Sequence, residues 1–225
     1  MRSGSLLEAI AGLLTRTYRM RTGVTDLAPF VIGDEGYRRL YRDGAAEIGS
    51  PGVEARVLIR ERDDGVRAAI YFPDEVIATL EAHPPQHGVG ERNVDAFAVL
   101  VEELDHLLCV AERAADGRPV SRFELELHAN VSKHLVLRRF LAGPADRPLA
   151  ARRRAWLRWH LFHKRRYADP DPDVRARYED AARWALRLID ALERTPVPAR
   201  LPALRAFHRA GAADKLNLIG RLATA

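Results

Sequence analysis

The chain has 225 residues, of which 47% are hydrophobic and 30% are charged, a composition that excludes a wholly disordered protein. No apolar run approaches the roughly 20 residues that a membrane-spanning helix needs, and Glu8 interrupts the short apolar stretch near the basic N-terminus. Neither a membrane partner nor a signal peptide is therefore predicted. Cys109 is the only cysteine, which excludes an internal disulfide and a cysteine-rich zinc site and favours a cytoplasmic location.

The first third of the chain mixes helix and strand patterns. Apolar residues recur at helical spacing over 5–21, and a second, short helix is predicted over 34–43. Apolar residues then alternate with other residues over 53–59 and 66–72, the two-residue period of half-buried strands. The intervening Asp-Asp-Gly is a hairpin-turn signal. Because two strands are not stable alone, helices must cover one face of this pair.

The rest of the chain predicts helices separated by proline and glycine. Asn93 is a candidate N-cap for a long helix over 94–114, and Ser121 with Glu124 forms a capping-box pattern at the start of the next helix. The predicted helices are 73–83, 94–114, 121–140, 149–167, 172–194 and 202–210. We expect a mainly helical α+β fold with a small antiparallel β-hairpin layer. An α+β core over 1–142 would be followed by a basic helical subdomain over 143–225, packed on the core as one domain.

Charge is divided unevenly along the chain. Residues 1–133 contain 16 Lys and Arg against 22 Asp and Glu, which gives −6, whereas residues 138–225 contain 20 against 9, which gives +11. This asymmetry indicates a polyanionic or acidic partner for the second half.

The segment VEELDHLL (101–108) places acidic and imidazole side chains on a predicted helix. Glu102 and His106 are four residues apart, so both could bind one metal ion, with Glu103 as general base on a metal-bound water. The alternative is an ordinary amphipathic helix whose acidic face meets water.

A strand pair followed by this helix resembles the arrangement in zincin metallopeptidases, whose helix carries the motif His-Glu-x-x-His. Glu103 matches the general base of that motif and His106 its second histidine ligand, while Glu102 stands in place of the first histidine. The resemblance spans 53–114. It implies a metal-dependent, peptidase-like hydrolase with a third ligand on a later helix.

The next helix supplies candidates for further ligands. Glu124 and His128 lie at the edge of its apolar stripe, again four residues apart. Glu126, Asn130 and Lys133 are predicted to point away from that stripe. The complete predicted metal set is therefore Glu102, His106, Glu124 and His128, a mixed set that suits zinc, manganese or iron. The alternative is that Glu124 only caps the helix and His128 is a hydrogen-bonded core histidine.

Other chemistries have less support in the sequence. Glu103 and His106 satisfy the Glu-x-x-His spacing of ferritin-like di-iron bundles, but the second helix has a different spacing and strands precede both helices. No phosphate-binding P-loop and no Gly-x-Ser-x-Gly elbow is present. Cys109 is predicted to be an unreactive packing residue rather than a catalytic thiol.

The segment ARRRAWLRWHLFHKRRY (151–167) combines positive charge with aromatic rings. Arginines neutralise phosphates and aromatic rings stack on bases, so this helix predicts contact with nucleic acid or a protein partner. The residues predicted to make that contact are Arg152, Arg153, Arg154, Arg158, Lys164, Arg165 and Arg166. The alternative is a packed helix in which Trp156, Trp159 and Phe162 face the core and the charges are solvated or paired.

Two functional hypotheses follow. The first is a divergent zincin-like protein that binds a metal ion and is either weakly hydrolytic or catalytically inactive. The second is a non-enzymatic interaction protein that uses its basic C-terminal helices on a protein partner or nucleic acid.

Overall fold

The structure is a computed structural model that describes residues 5–42, 54–62, 65–143, 148–164 and 170–224. It confirms a mainly helical α+β fold. The elements are α1 (Leu6–Tyr18), β1 (Val31–Ile32), α2 (Asp34–Arg42), β2 (Arg56–Arg62), β3 (Gly65–Tyr71), α3 (Asp74–Ala82), α4 (Val94–Ala115), α5 (Arg122–Ala142), α6 (Ala151–Arg158), α7 (Pro172–Arg194), α8 (Val197–Arg209) and α9 (Ala212–Thr224). None of these described helices has the length and hydropathy needed to cross a membrane.

The small sheet contains the predicted hairpin and one additional strand. Strands β2 and β3 pair antiparallel, with Val57 opposite Ile70, and β1 pairs parallel to β3 on its other side. Strand β1 was not predicted because two residues are too few to show a period. The predicted turn at Asp63 and Asp64 lies outside the described residues.

Helix α4 is buried on both its apolar and its acidic sides. Phe97, Val101 and Leu104 are fully buried, as the apolar spacing predicts, but Glu103 is only 8% exposed and Asp105 is 0% exposed. An acidic face in contact with water is therefore the wrong description of this helix. The physical reason is that the sheet and α1 pack against α4 in addition to α5.

Helix α5 is the central element of the helical part. The prediction that Glu126, Asn130 and Lys133 point away from the packing face is wrong, because these residues are 8%, 2% and 2% exposed. Helices α4 and α7 both pack along α5, with α1 and α6 also in contact. A helix covered on all sides shows no clear apolar stripe, so its burial was underestimated.

The structure confirms one of the two predicted N-terminal caps and gives the other a different role. The capping box of Ser121 and Glu124 is confirmed, with each side chain bonded to the backbone of the other. Asn93 does occupy the N-cap position of α4, but its side chain makes no cap bond. Its amide nitrogen instead donates to the His83 and Gly88 carbonyls, and its oxygen accepts from the Gly90 N–H. Asn93 therefore organises the loop before α4.

The C-terminal helices share one apolar cluster with the N-terminal part. Buried residues of α1, α4, α5, α7, α8 and α9 belong to this cluster, among them Leu14, Leu104, Leu188, Phe207 and Ile219. Helix α8 begins at Val197, earlier than predicted, because prolines are compatible with a first helical turn. Helix α9 was not predicted. The predicted break at 142–148 falls largely on 144–147, outside the described residues.

His134 is a buried histidine on α5 that remains uncharged. It is 5% exposed and lies near Arg138, Arg158 and Asp190. Burial, with help from the two arginines, lowers the pKa of His134 to about 3, and Asp190 offsets only part of this effect. The folded-state pKa is thus below the unfolded value of about 6.5. Stability is therefore lost as the pH falls from about 6.5 towards 3.

Replacing His134 by leucine should remove this source of acid sensitivity. Between pH 7.5 and pH 5 the wild type should lose about 2 kcal/mol more unfolding free energy than His134→Leu does. The reason is that only the wild type binds an extra proton on unfolding. Urea unfolding at the two pH values measures the difference. The control is His87→Leu at an exposed histidine, which should follow the wild-type profile. Identical pH profiles for His134→Leu and wild type would contradict the prediction.

Candidate metal centre

Three helices bring a thiol and two imidazoles together in the core. Cys109 comes from α4, His128 from α5 and His208 from the last turn of α8, and the three are 6%, 3% and 6% exposed. The Cys109 Sγ lies 3.4 Å from His128 Nδ1, and His128 Nε2 lies 3.0 Å from His208 Nδ1. We call these three residues the Cys-His-His centre.

The two imidazoles form the middle of a four-membered hydrogen-bonded chain. At one end, the Asp105 Oδ2 lies 2.8 Å from His128 Nδ1. At the other end, the Glu112 Oε2 lies 2.6 Å from His208 Nε2, while the second Glu112 oxygen accepts from the Arg21 N–H. Each ring thus turns its outer nitrogen to a carboxylate and its inner nitrogen to the other ring.

Proton counting fixes the charge of this chain. Three contacts need three protons, whereas two neutral imidazoles supply only two, so with ionised carboxylates one ring is an imidazolium. His128 is the ring that contacts the fully buried Asp105, and a buried carboxylate needs a cation beside it, which assigns the charge to His128. Burial raises the pKa of Asp105, but His128, Ser132 and His106 together outweigh burial, and the pKa is lowered. Burial and the charge on His128 lower the pKa of His208 to about 4, against the opposing effect of Glu112. His208 is therefore neutral and donates its Nε2 proton to Glu112.

Aromatic rings and a lysine fix the orientation of the histidines. The Tyr18 ring lies 4.4 Å from the His128 ring, centroid to centroid, and Phe207 stacks parallel to His128 at 5.7 Å. The Tyr18 hydroxyl is 2.9 Å from the Ser132 hydroxyl on α5. Lys215 of α9 donates to the backbone carbonyl of His208, which holds the end of α8 in place.

The Cys109 thiol is protonated in the absence of a competing cation. Burial, and then the negative charge of Asp105, raises the pKa of Cys109 well above its ordinary value. A nucleophilic thiolate is therefore disfavoured at neutral pH. A metal ion that binds Cys109 must displace this proton.

The donor atoms suit a metal ion. One donor atom from each of Cys109, His128 and His208 lies within 4.8 Å of the others. Two imidazole ligands of a tetrahedral zinc ion lie roughly 3.3 Å apart, close to the observed separation of the inner nitrogens. Carboxylates on the outer nitrogens are the usual second partners of metal-bound histidines. The Cys-His-His centre could therefore hold a metal ion.

The four predicted metal ligands are divided between different surroundings. His128 belongs to the Cys-His-His centre. Glu124 forms the capping box with Ser121 and lies 3.9 Å from Arg113. The Glu102 carboxylate forms an ion pair with the Lys133 ammonium at 2.9 Å, so it already has a cationic partner.

His106 and the predicted base Glu103 lie in a second polar group, which we call the acidic cluster: Glu102, Glu103, His106, Glu126 and Lys133. The Glu103 Oε2 is 3.7 Å from His106 Nδ1. Burial lowers the pKa of His106, but the carboxylates of Glu103, Glu126 and Glu102 outweigh burial and raise it to about 9. Burial raises the pKa of Glu126 to about 7. The acidic cluster is thus held together mainly by a charged His106 and Lys133 among three carboxyl groups.

Sequence reasoning missed Asp105, Glu112 and His208 as members of the site. Asp105, Cys109 and Glu112 recur at three- and four-residue spacing on α4, a signal that was available in the sequence. His208 is 80 residues from His128, and no local pattern connects the two.

No protein-family model matches the chain, and no curated protein or solved structure is significantly similar to it. The zincin resemblance therefore stays a prediction.

Breaking the ion pair of Asp105 and His128 should be strongly destabilising. In the metal-free protein we expect Asp105→Asn to lose about 3 kcal/mol of unfolding free energy, because it leaves the His128 charge buried without its counterion. The matched control is Asp180→Asn, which breaks the exposed pair with Arg183 and should cost no more than about 1 kcal/mol. Urea unfolding at neutral pH compares the variants. Equal losses of unfolding free energy in both variants would show that the buried ion pair stabilises the fold no more than the exposed one.

Proposed function

We propose that the protein is a metal-binding protein and that its Cys-His-His centre holds zinc. One observation carries the proposal: the inner nitrogens of His128 and His208 face each other at 3.0 Å while a carboxylate holds each outer nitrogen. This arrangement orients both rings towards a common position. Two facing imidazole nitrogens at this distance must share a proton, as in the metal-free chain, or bind a common metal ion, because two lone pairs would repel each other.

Charge balance supports the exchange of protons for a divalent ion. In the protonated form, two carboxylates and one imidazolium give a net charge of −1, and the thiol is neutral. Binding of a divalent ion releases the extra imidazole proton and the thiol proton. The two carboxylates, the thiolate and the ion then again sum to −1. The core therefore accepts the ion without a change in its buried charge.

The donor set favours zinc over the other candidate metals. Thiolate and imidazole are common zinc ligands, whereas manganese prefers oxygen donors. Iron is a weaker candidate. All three donors are almost completely buried, and a catalytic zinc ion needs an open position for water and substrate. The proposed role is therefore structural: the ion would join α4, α5 and α8, with a fourth ligand besides these three donors to complete its tetrahedral coordination.

This proposal retains metal binding from the zincin hypothesis but moves the site. Of the predicted ligands, only His128 is kept. The predicted base Glu103 pairs with His106 in the acidic cluster, and the residue is only 8% exposed. A hydrolytic role for Glu103 stays a prediction without support from the proposed site.

Metal analysis can distinguish the two ligand sets. Protein purified without added metal should contain about one equivalent of zinc, and its melting temperature should fall in chelator. Reconstitution with cobalt should give a thiolate-to-cobalt charge-transfer band. His208→Gln should reduce metal content and lose the band, because it removes an inner nitrogen. His106→Gln is the matched control and should keep both.

Three results would contradict the proposal. The first is the absence of zinc together with a melting temperature that is unchanged by chelator. The second is a cobalt complex that lacks the charge-transfer band, or whose band is retained in Cys109→Ser. The third is loss of metal in His106→Gln but not in His208→Gln, which would favour the ligands predicted from the sequence.

The basic surface of α6 supports a second candidate function, contact with nucleic acid. Arg152, Arg153 and Arg154 are exposed and have no acidic partner among the described residues, and Trp159 is 50% exposed. The other residues predicted to contact nucleic acid contribute less available positive charge. Arg158 pairs with Asp190 and Lys164 pairs with Asp95, while Arg165 and Arg166 lie outside the described residues.

Under this second function, single-stranded oligonucleotides should bind with an affinity that falls as salt rises. The triple variant Arg152→Ala/Arg153→Ala/Arg154→Ala should lose most of this affinity, because it removes three positive charges. Fluorescence anisotropy provides the measurement, with Arg38→Ala/Arg39→Ala on α2 as a control. Equal affinity of the triple variant and wild type would exclude this surface.

A further inference from the structure

A large groove opens between α1, α5, α7 and α8, away from the residues of the proposed metal centre. Its volume is about 750 Å³. Leu14, Ile189, Leu192 and Leu204 contribute apolar side chains to its walls, and each of them is buried. The volume is within the range of pockets that bind small molecules. We call this feature the α1–α8 groove.

The rim of the α1–α8 groove exposes apolar side chains. Val197 is 71% exposed and Leu201 is 39% exposed, and both lie on α8. Only five large hydrophobic residues in the described part of the chain are exposed to this degree, so two of the five line one groove. Such a concentration indicates a surface that is covered when a ligand is bound.

Positive charge surrounds this apolar surface. Four arginines line the groove against a single acidic residue, Glu193. The arginines are Arg138, Arg139, Arg154 and Arg200. Arg139 and Arg200 also donate to backbone carbonyls, and Arg200 forms no ion pair among the described residues. Neither Arg138 nor Arg154 has an ion-pair partner among the described residues.

A buried polar atom also lacks a partner at this groove. His134 lines the groove, is 5% exposed, and its Nδ1 has no hydrogen-bond partner among the described residues. Buried ring nitrogens without a partner are rare in folded proteins.

The chemistry of the lining restricts the ligand. No phenylalanine, tyrosine or tryptophan is among the described residues that line the groove, so nothing there stacks on a nucleobase or another flat ring. Leucine, valine and isoleucine instead suit an aliphatic chain. Arginine favours carboxylate or phosphate groups, which it binds with two parallel hydrogen bonds.

We propose that the α1–α8 groove binds an aliphatic amphiphile, a single long hydrocarbon chain with an anionic head group such as the carboxylate of a fatty acid. The chain would cover Leu192, Leu204 and the exposed rim residues. The head group would pair with Arg138 and Arg154. This site is independent of the proposed metal centre, because none of Cys109, His128 and His208 lines the groove.

Paired probes with the same chain test the two parts of the proposal. Oleate, oleyl phosphate and oleyl alcohol are titrated below their aggregation limits by calorimetry. We expect both anions to bind more tightly than the alcohol. Arg138→Ala/Arg154→Ala should weaken oleate by about tenfold or more and leave the alcohol nearly unchanged, because only the anions lose charged hydrogen bonds. The ratio of oleate to oleyl phosphate affinity identifies the preferred head group.

A second pair of variants tests the location. Val197→Asp places a negative charge at the exposed rim and should weaken all three probes, whereas Ile59→Asp, at a 48% exposed residue of β2, should not. Both positions are exposed, so both variants should fold, as circular dichroism can verify. Arg152→Ala on α6 is the control for loss of positive charge outside the groove.

Three outcomes would overturn the proposal. Absence of binding by every probe excludes an amphiphile and leaves the groove to a ligand of different chemistry. Equal affinity for oleate and oleyl alcohol excludes the role of the arginines. Equal effects of Val197→Asp and Ile59→Asp exclude the location. The probe titrations are repeated with His208→Gln, which removes a proposed metal ligand that does not line the groove. Unchanged probe binding in this variant separates the amphiphile proposal from the metal proposal.

Discussion

The ion pair of Asp105 and His128 constrains the centre of the molecule. A carboxylate that is fully buried must have a cation close by, since the loss of its hydration would otherwise exceed the free energy gained by packing. Once His128 carries a charge, His208 must remain neutral and must present a lone pair to it. Glu112 then accepts a hydrogen bond from the remaining N–H of His208. One buried acid thus sets the pattern of hydrogen bonds through both imidazoles.

Helix α5 explains why so many polar groups meet in the core. Because other helices surround it, each of its faces needs partners, and its polar residues divide into two sets. His128 and Ser132 face Tyr18 and the Cys-His-His centre, whereas Glu126 and Lys133 face the acidic cluster. Helix α4 separates its own residues in the same way. Helices α4 and α5 thus contribute residues to both polar groups, and α8 completes the Cys-His-His centre with His208.

Local patterns predicted the local features of this fold. The hairpin strands, the capping box at Ser121 and most helix bounds follow from spacing and from turn chemistry, which act over a few residues. The site was predicted less well, because its partners come from distant parts of the chain. His208 lies on α8, which packs on α1 and α9, and Glu126 lies on α5, which α4 and α7 cover. The periodicity of one helix contains no information about which other helices will cover it.

The contact of Lys215 with the end of α8 has a consequence for the order of assembly. Residues from Tyr18 to Lys215 meet at one point, so the centre depends on almost the whole length of the chain. A nascent chain that ends before α9 has no ammonium group to hold the His208 carbonyl. The histidine pair would then form among the last contacts during synthesis, after the sheet and the first five helices have been made. Its formation would mark the completion of folding.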